Sequence, residues 1–107
     1  GIAAAARRPC SRPTMAQHNS YFEGKVQSVG FARNGRKQTV GVVEPGEFHF
    51  GTDAAERMTV VCGELVIRLD GQSEWKHYPA GTAFEIPAKS GFDIKAAVAT
   101  AYWCEFL

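Results

Sequence analysis

The chain has 107 residues, enough for one domain built on a single core. Twelve basic residues stand against eleven acidic ones, a net charge of +1, which argues against a nucleic-acid binder held mainly by phosphate contacts. No apolar run approaches the roughly 18 residues of a membrane span, so neither nucleic acid nor membrane is expected as a partner.

Residues 1–14 carry arginines but no acids and no strand pattern. Met15 looks like a natural start. The leader is read as an expression remnant or other non-native segment, with a basic transit segment as the alternative. Residues 15–107 are then one domain. Cys10, Cys62 and Cys104 are an odd number without motif spacing. Cys62 and Cys104 lie in apolar runs and read as buried, reduced thiols, which implies a reducing compartment.

From Tyr21 to Phe31 the chain is strand-like and punctuated by glycines. Asn34-Gly35 is a strong hairpin signal. Gln38 to Glu44 is apolar and β-branched, and Pro45-Gly46 reverses it. Phe48 to Thr52 reads as a strand, Asp53 to Arg57 as a polar connector, and Met58 to Cys62 as another strand ending at Gly63. Leu65 to Leu69 follows, with its turn at Asp70-Gly71. Trp75 to Tyr78, Ala83 to Ile86, Phe92 to Ala96 and Ala101 to Leu107 complete the strands, with Trp75 expected in the core. No window shows a helical period of useful length. Short strands with closely spaced turns mean a sandwich or barrel.

The block around Pro45 to Gly63 resembles the first signature of the cupin barrels. His49 matches its first His, Glu56 its Glu and Gly63 its closing Gly, while Gly51 stands at the second His. Gly81 and Pro87 match the opening of the second signature, whose later His falls near Phe92. The expected fold is all-β, a small single-domain cupin-like jelly-roll barrel with much of the metal site missing.

A wider pattern narrows the resemblance. It comprises Tyr21-Phe22, Gly24-Lys25-Val26, Ser28 and Gly30-Phe31; then Gly46-Glu47, Phe50, Thr52, Glu56 and Met58-Thr59-Val60; then Trp75, Tyr78, Gly81, Phe84, Pro87, Ser90 and Phe92. Together these resemble the pyrimidine/purine nucleoside phosphorylases of cupin fold. The resemblance implies a cytoplasmic homodimer that splits purine and pyrimidine nucleosides with inorganic phosphate. The products are a free base and ribose 1-phosphate. The substrates implied are uridine, cytidine, thymidine, adenosine, guanosine and inosine. It implies no metal and no cofactor beyond phosphate as co-substrate.

The site itself is read from the residues. Phosphorolysis of an N-glycoside passes through an oxocarbenium-like sugar, so it needs positioning and electrostatics more than covalent chemistry. Glu56, inside the barrel in the cupin frame, is the candidate for the ribose and its positive charge; the bland alternative is a surface acid. His49 is expected to point inward and donate to phosphate or base; the alternative is a histidine satisfied by backbone. Thr52 offers a hydroxyl at the strand end, or only β propensity. For phosphate the candidates are Arg57, Arg68 and Ser28, with Lys89 as a further nearby cation. Each cation is equally at home on a surface. For the base the expected walls are Phe31, Met58, Tyr78 and Phe92, or else core packing.

Two rival readings stay open. One is a metal cupin enzyme, a dioxygenase or isomerase, for which only His49 and Glu56 sit in frame. The other is a non-catalytic sugar or nucleoside binder.

Overall fold

The computed structural model describes residues 15–107, so the expectations for residues 1–14 and Cys10 lie outside it. Among the described residues the secondary structure is ten strands and no helix. They are β1 (Gln17–Tyr21), β2 (Val26–Arg33), β3 (Arg36–Val43), β4 (Gly46–Thr52), β5 (Glu56–Cys62), β6 (Glu64–Leu69), β7 (Lys76–Pro79), β8 (Ala83–Ile86), β9 (Ser90–Ala96) and β10 (Thr100–Phe106). A six-stranded sheet runs β1-β2-β3-β10-β5-β8 and a four-stranded sheet runs β4-β9-β6-β7, with every pairing antiparallel. The two sheets face each other as a small jelly-roll barrel.

Turn chemistry sets the connections. Asn34 and Gly35 both have positive φ, 56° and 71°, which matches the twist of the β2–β3 hairpin they close. At Gly63 a Cβ would collide with Thr100 Oγ1, because Thr100 is wholly buried and bonds the backbone of Glu64 from both sides. Only glycine fits between the β5–β6 turn and β10 at that point.

Alternation along each strand builds the core. Val26, Val43, Met58, Val60, Leu65, Ile67, Phe84, Ile86, Phe92 and Ile94 turn inward and are buried. Tyr78 and Phe84 pack ring on ring, 4.4 Å between centroids, beside a void of about 30 Å³, with room for about one water.

The outer face of the six-stranded sheet is unusually apolar. Val29, Val40, Val42 and Val61 are 41–57% exposed there. Beside them Gln38, only 2% exposed, accepts a hydrogen bond from Trp103 Nε1 at 2.9 Å.

Several expectations change. β1 is a separate edge strand, which its polar sequence conceals. Glu56 and Arg57 open β5 instead of closing the connector. Trp75 lies outside the core, where Arg68 and Lys95 approach its ring at 4.5 and 4.0 Å. Cys62 is exposed, past a register shift at Ala101/Tyr102 that breaks the inward alternation of β5.

Candidate active site

A cavity of about 520 Å³ opens between the two sheets, within the range of small-molecule sites. Its floor is the inner face of the six-stranded sheet: Val26 and Ser28 from β2, Lys37, Thr39 and Val43 from β3, Tyr102, Cys104 and Phe106 from β10, Glu56 and Met58 from β5. Phe50 on β4 with Phe92 and Ile94 on β9 forms the roof.

Glu56 is the half-buried acid of this floor. The Cys104 thiol donates to its Oε1 at 3.5 Å. Burial pushes the carboxyl above its ordinary range, while the Cys104 contact and the charge of Lys37 pull it back. The same burial, with Glu56 beside it, raises the Cys104 thiol well above a reactive range. Cys104 is therefore a neutral donor and not a nucleophile.

Tyr102 is the second polar group of the floor. Burial raises its phenol to about 12, and Ser28 hydrogen-bonds it. Its ring lies across Gly41, where a Cβ would stand 2.7 Å from Cζ, from the phenol oxygen and from the Gln27 carbonyl oxygen. Asn19 on β1 reaches Ser28 at 3.5 Å, tying the edge strand to this pair.

Aromatic rings close the mouth. Phe50 stacks on Phe92 at 6.0 Å, and Tyr21 meets Phe50 edge-on at 5.5 Å. Phe22 packs against Phe48 and Phe50 at 5.1 and 5.3 Å. The turn that presents it holds three successive residues, Phe22, Glu23 and Gly24, at positive φ. Phe106 stacks under the Lys37 ammonium, 4.9 Å from ring centroid to nitrogen.

Of the residues expected in the site, Glu56, Ser28, Met58 and Phe92 line this cavity. The others stand elsewhere. On β4 the inward positions are Phe48, Phe50 and Thr52, so His49 points outward, 54% exposed. There its Nδ1 lies 2.9 Å from Asp93 Oδ1, and Arg68 Nη2 lies 2.8 Å from Asp93 Oδ2. These two partners hold the Asp93 carboxyl below its ordinary range. The cupin frame fails at His49 because one register step reverses the face of a strand. Thr52 points inward but is committed to structure: its hydroxyl donates to the Pro87 carbonyl at 2.7 Å and accepts from Ser90 N–H at 3.0 Å.

Arg57 and Arg68 lie on the outer faces of their sheets. Arg57 pairs with Glu85 and Glu105, and Arg68 with Asp93. Phe31 follows the outward parity of β2, opposite Gln38. Tyr78 belongs to the packing around Phe84. Lys89 is exposed at positive φ outside the cavity wall. Among the described residues no group of three or more His, Cys, Asp or Glu side chains is arranged to hold a metal ion.

The sequence reading missed Lys37, Thr39, Tyr21, Phe50, Tyr102, Cys104 and Phe106 as wall residues. The alternation of Tyr102, Cys104 and Phe106 along β10 was legible as a strand face. Nothing local said which face was inward.

Comparison with known proteins places this arrangement. The profile of the pyrimidine/purine nucleoside phosphorylase family matches residues 16–106. A pyrimidine/purine nucleoside phosphorylase of Anaeromyxobacter sp. is 65% identical over 94% of this chain and 95% of its own. One from Sorangium cellulosum is 67% identical over 87% of this chain and all of its own. The crystal structure of a protein of unknown function from Vibrio parahaemolyticus superposes with a TM-score of 0.85 at 46% identity, covering 87% of this chain and 99% of that one. With the profile spanning every described strand, and relatives this similar over almost their full length, the chain belongs to the pyrimidine/purine nucleoside phosphorylase family.

Proposed function

We propose that the protein cleaves purine and pyrimidine nucleosides by phosphorolysis, giving the free base and ribose 1-phosphate. The observation that carries this reading is Glu56, a half-buried carboxyl on the wall of a nucleoside-sized cavity in a chain of this family. In the reaction the bond from C1′ to the base nitrogen breaks and its electron pair leaves with the base. An oxygen of hydrogen phosphate forms the new bond to C1′. The proton that hydrogen phosphate loses equals the one the base gains, so the balance needs no redox partner and no cofactor.

Glu56 hydrogen-bonds the ribose hydroxyls and offsets the positive charge that develops at C1′. Met58, Phe92 and Phe50 form apolar walls for the planar base. Ser28 and Tyr102 present rotatable hydroxyls, which serve as donor or acceptor and so suit both oxo and amino bases. Such walls support broad specificity across the two base classes. Chemistry of this kind runs without a metal, and activity in chelator is expected to equal activity without it.

A homodimer is the proposed assembly, joined through the apolar outer face around Val29, Val40 and Val42. A cytoplasmic location is proposed with it, supported by the free thiols of Cys62 and Cys104.

The experiment is release of uracil from uridine with and without phosphate, for wild type and Glu56→Gln. Phosphate-dependent release, reduced roughly thirty- to a thousandfold in a folded Glu56→Gln, is the expected result. Release that ignores phosphate would mean a hydrolase. Binding without release would mean a nucleoside sensor.

A further inference from the structure

We propose that Lys37 is the phosphate-binding residue of this site, an inference that rests on the phosphorolysis reading above. The anion needs a cation on the cavity wall, where Lys37 stands exposed to solvent. Among the described residues that line it, Lys37 is the only basic one. The arginines expected to serve are already committed on the outer faces, Arg57 to Glu85 and Glu105, Arg68 to Asp93. Lys37, by contrast, forms no ion pair among the described residues. Its ammonium rests on the face of Phe106, which steadies the charge without neutralising it.

Placement agrees with charge. Lys37 and Thr39 follow one another on the inward row of β3. The ammonium and the Thr39 hydroxyl therefore offer adjacent donors along the floor. Lys37 and Glu56 line the same cavity, so an anion on Lys37 and a sugar held by Glu56 share one space. The Asp53 carboxylate lines the cavity from the connector between β4 and β5 and repels phosphate from that part of the wall. A lysine suits this role because its compact ammonium grips a tetrahedral anion as a point charge and lets it move toward C1′.

The test uses Lys37→Met, which keeps the hydrocarbon stem over Phe106, and Lys37→Arg, which restores the charge. Two quantities are read: calorimetric binding of inorganic phosphate to the full chain, and steady-state KM values for phosphate and for uridine. Lys37→Met is expected to raise the phosphate KM by about tenfold to a hundredfold and to weaken phosphate binding by the same factor, the loss of one charge-assisted contact. The uridine KM stays near wild type, and Lys37→Arg recovers part of the loss. A phosphate KM and phosphate affinity left unchanged by Lys37→Met overturn the assignment. So does an equal loss toward uridine, which would mean a structural role. Should wild type bind phosphate through Lys37 yet release base without phosphate dependence, the anion site stands and the phosphorylase reading falls.

Discussion

The thiol of Cys104 donates to Oε1 of Glu56 at 3.5 Å, joining the centre of β10 to the first residue of β5 on the cavity floor. The contact satisfies one oxygen of a carboxyl whose charge is otherwise disfavoured by burial. A carboxyl raised in the folded state holds its proton more tightly there than in the unfolded chain. Stability therefore falls as pH rises from the ordinary value of 4.5 through the raised one. Glu56→Gln removes that loss and keeps an oxygen for the thiol. Its melting temperature is expected to exceed wild type at pH 7, with the gap closing below about pH 4. Thermal melts at the two pH values check this, and a variant less stable than wild type at neutral pH would count against a strained carboxylate. Gained stability with lost activity is the pattern of a group kept for function.

Gly41 is the position on which the Tyr102 ring depends. A methyl group there meets both that ring and the backbone oxygen of Gln27, and the backbone cannot yield cheaply. Gly41→Ala is expected to cost about 1–3 kcal/mol, the usual range for overpacking. Urea midpoints for the variant and wild type measure it. No change would mean that the sheet shifts freely at this point.

His49 gives a contrasting expectation. It stands outside the cavity with Asp93, so His49→Asn is predicted to leave kcat/KM for uridine within about twofold of wild type. A loss as large as that of Glu56→Gln would show that the outer cluster takes part in the reaction.

The dimer prediction is tested at Val40. Its neighbours across the strands are Val29 and Trp103, which puts it amid the apolar outer face. Val40→Lys places a charge there that an interface would have to bury unpaired. Light scattering at micromolar concentration is expected to give a dimer mass for wild type and a monomer mass for the variant. A monomeric wild type would refute the assembly.

Much of the fold is legible locally. Asn34-Gly35 and Asp70-Gly71 announce turns, β-branched runs announce strands, and the absence of a helical period excludes helices. These signals depend only on neighbouring residues; the polar β1 carries none of them and is not legible. Glu56, Ser28, Met58 and Phe92 are also legible as site candidates, and all four line the cavity.

Which face of a strand turns inward is a different kind of information. His49 and Phe50 are adjacent, and both are plausible wall residues. The pairing of β4 with β9 sets Phe50 against Phe92 in the cavity and His49 against Asp93 outside it. In the same way Arg57 and Arg68 read as natural phosphate ligands, but the register pairs them with carboxylates of neighbouring strands. Lys37 is inconspicuous beside the hairpin turn, yet β3 carries it onto the floor with Glu56. Local signals specify most of the strands, the turns and an all-β sandwich or barrel, because those follow from backbone preference and alternation; the jelly-roll form came from the family resemblance. Membership of the site emerges from the folded arrangement, because a side-chain period of two leaves each strand two possible faces and cross-strand register chooses between them.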